Sequence, residues 1–209
     1  MVRGTAASGK YVWQMRYAPS CTLSDKLTPM SPAPTIADQP SLRIALLSDT
    51  HNAVDRRIAE VVESCDLAVH AGDIGSPKVL AQLLPKTGRV FAVRGNNDTP
   101  DQWPRGTESS LRLLPDALSI DVPGGVLVVV HGHRARPASG RHQILRERYP
   151  TARGIVYGHT HRLLVDVDSQ PWVLNPGAAG HTRNQGTPSC LVLTATADAW
   201  RVDIHAFPD

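Results

Sequence analysis

Leu42-Arg43-Ile44-Ala45-Leu46-Leu47, followed at once by Ser48-Asp49-Thr50-His51-Asn52, decides how the chain is read. A short apolar run of this kind is a buried strand, and the polar residues after it lie at that strand's carboxyl end. The same punctuation recurs. Leu67-Ala68-Val69-His70 runs into Ala71-Gly72-Asp73-Ile74-Gly75, and Arg89-Val90-Phe91-Ala92-Val93 runs into Arg94-Gly95-Asn96-Asn97-Asp98. Helical patterns fill the gaps, one through about Ser64 and one from Pro77 to Leu84, where proline takes a first-turn position that needs no bonded N–H. Strand, loop and helix in alternation predict an α/β layer around a largely parallel sheet.

Strands dominate the second half. Ala117–Val122 and Val126–Val130 flank Pro123-Gly124-Gly125, which predicts a hairpin with a glycine-bearing turn. A helix over Ser139–Tyr149 and a buried strand Ile155-Val156-Tyr157 follow. Four short strands close the chain, Leu163–Val167, Trp172–Leu174, Cys190–Ala195 and Trp200–His205. Two packed sheets with helices outside fit this inventory better than one doubly wound sheet.

Residues 1–40 read differently. They hold five of the 17 prolines and show neither period, so they are expected to form a disordered N-terminal extension ahead of one domain over 41–209. Met30 stands as an alternative translation start, which leaves open whether residues 1–29 are native. No apolar core of a secretory signal is present, and no run of about 18 apolar residues spans a membrane. In the whole chain of 209 residues, 22 Lys and Arg face 19 Asp and Glu, which excludes a strongly basic nucleic-acid stripe and an acidic disordered chain. The three cysteines, Cys21, Cys65 and Cys190, form no CxxC pair, so a thiolate zinc site and a disulfide framework are both excluded in favour of reduced thiols in a cytoplasmic protein.

The nine histidines all lie beyond residue 50. Five polar clusters follow apolar runs: Asp49-Thr50-His51, Gly72-Asp73, Gly95-Asn96-Asn97-Asp98, His131-Gly132-His133 and Gly158-His159-Thr160-His161. Ligands collect at the carboxyl ends of strands in open α/β sheets, so these clusters can converge. The glycines beside Asp73, Asn96, His131 and His159 let the backbone turn each side chain inward. Carboxylate, amide and imidazole donors without thiolate suit Mn, Fe, Co, Ni or Zn. Seven donors exceed what one ion needs, and fit two divalent ions roughly 3.5–4 Å apart sharing a carboxylate.

Asp-x-His, Gly-Asp, Gly-Asn-x-Asp, His-Gly-His and Gly-His-Thr-His, in this order, resemble the calcineurin-like metallophosphoesterase superfamily. The compact spacing, the hairpin before His131 and Asn175-Pro176-Gly177 narrow the resemblance to the YfcE-type bacterial phosphodiesterases, from about Ser41 to the C-terminus. It implies a four-layer αββα sandwich of two mixed sheets flanked by helices. It also implies that Asp49, His51 and His161 hold one metal, that Asn96, His131 and His159 hold the other, and that Asp73 bridges them. The implied activity is hydrolysis of small phosphodiesters by a metal-bridging hydroxide, with manganese the foremost metal. The partner is then a small-molecule substrate, without specific nucleic-acid or membrane binding, and a homo-oligomer is left open. The alternative is a catalytically weak or inactive binding scaffold, because a retromer subunit shares the fold.

One position departs from the wider superfamily. Asn97 stands where many members have a histidine thought to assist the leaving group, and an amide cannot supply a proton as a general acid does. The YfcE-type branch also lacks that histidine. His133 is the candidate replacement. Of the remaining polar residues, His70 reads as a core or supporting group and Asp98 as a loop anchor. Asn175-Pro176-Gly177 reads as a scaffold turn, and His142, His181 and His205 as surface. Arg94, Arg134 and Arg136 are either solvated or in reach of a substrate phosphate.

Overall fold

Ile44 and Leu46 point to one side of the first apolar run and Ala45 and Leu47 to the other, and all four are fully buried. A strand buried on both faces belongs at the centre of a covered sheet. The computed structural model places it there, and describes residues 13–14 (backbone only), 36–180 and 186–208. His181 and most of the N-terminal extension lie outside the described residues.

In chain order the first strands are β1 (Trp13–Gln14), β2 (Ser41–Leu47), β3 (Leu67–His70) and β4 (Arg89–Ala92). Then come β5 (Ala117–Val122), β6 (Gly125–Val130), β7 (Gly154–Val156), β8 (Leu163–Asp166) and β9 (Trp172–Pro176). The last two are β10 (Ser189–Thr196) and β11 (Trp200–Ala206). The α-helices are α1 (Arg56–Glu63), α2 (Pro77–Gln82), α3 (Glu108–Arg112) and α4 (Arg141–Arg148).

One sheet runs β1-β4-β3-β2-β10-β11 and the other β5-β6-β7-β9-β8. In the first, β2, β3 and β4 are parallel, β10 is antiparallel to β2, and β11 is antiparallel to β10. In the second, β6, β7 and β9 are parallel and the outer strands antiparallel. Both sheets are thus mixed. Ile44, Leu46, Val69 and Phe91 of the first pack against Leu118, Leu127, Val129, Val156 and Leu174 of the second. On the outer face of the first sheet, Ala45, Leu47 and Val192 meet Ile58 and Val62 of α1. On the outer face of the second, Val128, Ile155 and Val173 meet Leu145 of α4. The layers are therefore helix, sheet, sheet, helix, as expected. Strand β5, at an edge, alternates exposed and buried along its whole length, because only its inner face has a partner layer.

Local signals are obeyed in detail. Asp55 caps α1 by accepting from the Arg57 amide at 2.8 Å, and Pro77 occupies the start of α2. The hairpin turns at Pro123-Gly124, with Gly124 at φ 80°. The five-residue α3 has no sequence signal of its own. It forms because Leu111 joins Ile74, Val79, Ala92, Trp103 and Leu114 in a small satellite core. Cys65 and Cys190 share one buried cluster and remain free thiols. Among the described residues no helix is long and apolar enough to cross a membrane.

Candidate metal centre

The loops leaving β2 and β3 are stitched side by side. The Asp49, His51 and Asn52 amides donate to the carbonyls of Gly72, Asp73 and Ile74 at 3.0 Å each. Gly95, after β4, must be glycine: a Cβ there would fall 2.1 Å from Asp73 Oδ1. The other sheet contributes from its own parallel strand ends. His131 follows β6 directly, and Gly158–His161 follows β7, with the Gly158 amide bonded to the His131 carbonyl.

These loops bring the predicted ligands together. Single ligand atoms of Asp49, His51, Asp73 and His161 all lie within 4.8 Å of one another. His51 Nε2 and His161 Nε2 are 3.2 Å apart, and His161 Nε2 is 3.4 Å from Asp49 Oδ1. In the other half His131 Nε2 is 3.1 Å from Asn96 Oδ1, and the His131 and His159 ring centroids are 5.3 Å apart. Asp73 Oδ2 is common to both halves, 3.9 Å from His51 Nε2 and 3.3 Å from His131 Nε2.

Five of these residues also share an unusual backbone. Asp49, His51, Asp73, His159 and His161 have φ of 54°, 43°, 55°, 71° and 56°, in the left-handed region that side-chain-bearing residues rarely adopt. Such conformations cluster where function over-determines the backbone.

The donor chemistry fits a cation. His131 Nδ1 lies 2.8 Å from the Ala71 carbonyl, which can only accept, so this nitrogen carries a proton. In the neutral imidazole Nε2 is then a lone-pair donor facing two further acceptors, Asn96 Oδ1 and Asp73 Oδ2. The Asn96 amide can turn its Nδ2 towards the ring, but a lone pair on Nε2 facing the Asp73 carboxylate at 3.3 Å calls for a positive charge between them, either a second proton on the ring or a metal. Fixing the far ring nitrogen on a backbone carbonyl is the usual way a ligating histidine is oriented. Burial works against a charged His131, but a hydrogen bond donated by its ring to Asp73 and the charges of Asp49 and Asp73 raise its pKa overall.

The carboxylates diverge for the same reasons. Burial pushes Asp49 up to about 6, although His131, His161 and the Ser48 hydroxyl pull against it. Burial also acts on Asp73, yet bonds from His131 and Asn97 hold its carboxyl well below the usual range. His159 is driven down to about 4 by burial, then by the charges of His131 and Arg141. His133 is lowered too, by burial and by His131. Its ring lies 5.5 Å from that of His131 and 6.2 Å from that of His159, and its Nδ1 is buried without a partner.

Several supporting residues stand where the sequence placed them. Asp98 accepts from the Ile74, Gly75 and Gly95 amides and from Trp103 Nε1, pinning the β3 and β4 loops together. Asn175 donates to the Gly158 carbonyl and the Thr160 hydroxyl beneath the last ligand loop. Arg94 and Arg134 both bind Asp116, at 3.0 and 2.8 Å, rather than standing free. Two residues depart from the reading. His142 is a half-buried link, not surface, with Asp166 at 2.8 Å on Nδ1 and the Tyr157 hydroxyl at 3.1 Å on Nε2. Asn97 does more than leave a gap: its amide N–H and Nδ2 donate to Asp73 at 2.8 and 2.6 Å.

His70 is fully buried behind the ligand loops. Thr50 Oγ1 donates to the Ile74 carbonyl, so His70 Nε2–H donates to Thr50, and His70 Nδ1 accepts from the Gly72 amide. Protonating Nδ1 would break that last bond, and burial lowers the pKa to about 4. Its stabilising contribution is complete above the unfolded value of about 6.5 and is lost as pH falls through about 4, by roughly 3 kcal/mol. In chelated protein, the stability gap between parent and His70→Gln should therefore narrow by about that amount between pH 7 and pH 4. Urea melts across this range measure it, and a gap independent of pH would contradict the assignment.

The chain belongs to the calcineurin-like phosphoesterase superfamily, whose model matches residues 42–198. It resembles a phosphodiesterase from Methanocaldococcus jannaschii, 24% identical over 149 residues, covering 65% of this chain and 83% of the relative. A protein from Streptococcus pneumoniae described as a predicted phosphoesterase superposes with TM-score 0.55 at 20% identity, over 80% of this chain and 91% of that one. Vacuolar protein sorting 29 from Cryptosporidium parvum superposes with TM-score 0.63 at 18% identity, over 82% of this chain and all of that one. At 18–20% identity these two structural likenesses show the shared fold.

Proposed function

We propose that this domain is a phosphodiesterase that hydrolyses small phosphodiesters at a centre of two divalent ions, manganese foremost, with Ni, Fe, Co or Zn as substitutes. Asp49, His51 and His161 would hold one ion, Asn96, His131 and His159 the other, and Asp73 both. The observation that carries the reading is Asp73 Oδ2, which stands between His51 Nε2 and His131 Nε2 and so faces both donor sets. Bound ions supply Lewis acidity, making a nucleophile of water near neutral pH and drawing charge from the phosphoryl oxygens.

The chain's own residues do the rest. Asn97 and His131 keep Asp73 ionised, so that it can be shared. Asp49 is held by the Ser48 hydroxyl at 2.7 Å and by the His159 amide at 3.0 Å, which aims its carboxylate and fixes the last ligand loop with one group. His133, beside His131 and His159, donates the proton to the leaving oxygen that Asn97 cannot. The free thiols Cys65 and Cys190, close but unjoined, favour a cytoplasmic location.

The reading predicts turnover of bis(p-nitrophenyl) phosphate that chelation abolishes and manganese restores. His133→Ala should cost about tenfold more on a dialkyl diester, which must expel an alkoxide, than on the activated aryl ester. Equal losses on both would remove His133 from the leaving-group role. A folded, manganese-loaded protein that cleaves neither ester would favour the scaffold function instead.

A further inference from the structure

The arginines around the candidate centre are mostly accounted for. Arg94 and Arg134 share Asp116, Arg146 binds Asp166 at 2.8 Å, and Arg136 and Arg162 are exposed. Arg141 is different. It is the first residue of α4, the helix that follows the His131–His133 loop, and it is only partly exposed. Its guanidinium lies over the Tyr157 ring at 5.9 Å, two residues before His159 in sequence, and its charge reaches His159. No carboxylate among the described residues pairs with it, and its Nε is buried without a partner. A guanidinium N–H removed from water and given no acceptor carries a desolvation cost that an anionic ligand would remove.

A simple phosphodiester has one negative charge, shared by the two non-bridging oxygens that the metals would neutralise. A cation on α4, set apart from those oxygens, can meet a second anionic group of the same molecule. We propose that Arg141 binds a second anionic group of the substrate, a terminal phosphate, so that the preferred substrates are small phosphodiesters bearing a further phosphate. This rests on the phosphodiesterase reading. The planar guanidinium suits phosphate, and the Tyr157 ring lies within cation–π range of it.

The test compares thymidylyl-(3′→5′)-thymidine with the same dinucleotide carrying a 5′-phosphate, using full-length manganese-loaded protein. The phosphorylated form should be cleaved with a kcat/KM at least about tenfold higher, the scale of one charge-assisted contact. Arg141→Gln should bring the ratio close to one, and Arg141→Lys should retain part of it. Equal cleavage by the parent protein, or an unchanged ratio in Arg141→Gln, would overturn the assignment. A second readout needs no turnover. In chelated protein the 5′-phosphate resonance in phosphorus NMR should broaden with the parent and not with Arg141→Gln, whereas equal broadening would count against Arg141. If neither dinucleotide nor bis(p-nitrophenyl) phosphate is hydrolysed, the phosphodiesterase reading fails, while the NMR comparison still decides whether Arg141 binds phosphate.

Discussion

Asp73→Asn is expected to lower turnover of bis(p-nitrophenyl) phosphate by on the order of a thousandfold, the upper range for removing one preorganised electrostatic group from an active site. The substitution keeps shape and removes charge. Asp73 is 1% exposed, and its Oδ2 is the atom closest to both histidine sets, so an amide there withdraws a negative donor from both halves at once. The hydrogen bonds also fail. Both Asp73 oxygens accept from Asn97, and an asparagine must turn an NH₂ towards one of those donors. The ionised Asp73 stabilises the fold above its unfolded pKa, because its folded value is depressed. The variant should therefore be less stable by about 1–3 kcal/mol at neutral pH, yet folded. Metal titration by calorimetry separates the effects: the stoichiometry should drop, whereas two tight sites with turnover intact would rule out a bridging Asp73.

Asp98→Ala should be the most destabilising of the polar substitutions near the site. The carboxylate is 1% exposed and accepts from three backbone amides and one indole, at 2.8–2.9 Å for the shortest contact of each. Alanine leaves all of those donors buried and unanswered, at a cost of about 3–5 kcal/mol. For a domain of this size that is a fall in Tm of about 10 °C. Asp98→Asn, which keeps an acceptor oxygen, should lie between. Since Asp98 ties the Asp73 loop to the Asn96 loop, its loss should also weaken metal binding by about 10–100-fold, the range for groups that orient ligands. Thermal melts with and without manganese would show both effects. Unchanged melting of Asp98→Ala would mean that the loops are held by something else.

Much of this was legible in the residues. Apolar runs ending in Asp49-Thr50-His51, Gly72-Asp73, Asn96, His131 and His159-Thr160-His161 located the strands, and strand polarity placed the clusters at one end. In the structure, burial alternates strictly in β5 at a sheet edge and not in the central β2, a distinction first seen there. The misses share a physical cause. Neighbouring glycines suggested where the backbone turns, but the ligands themselves adopt the left-handed conformation, which Asp and His tolerate better than most residues without their identities marking where it occurs. Asn97 was read by what it lacks, because its bonds to Asp73 depend on two loops from different strands. His142 gave no signal, since Asp166 and Tyr157 reach it only through the packing of α4 on the second sheet. Helix α3 is five residues long and owes its existence to Leu111 packing rather than to periodicity.

The proposed centre would hold two ions on seven side chains, with Asp73 common to both, and would support phosphodiester hydrolysis. The most direct test strips the full chain with chelator, then titrates manganese while recording bound metal and bis(p-nitrophenyl) phosphate turnover in the same samples. Binding should saturate at about two ions per chain, the number a shared carboxylate can join, with turnover rising mainly as the second ion binds. Full turnover with one ion, or none at saturation with Mn, Ni, Co, Fe or Zn, would contradict the two-ion centre.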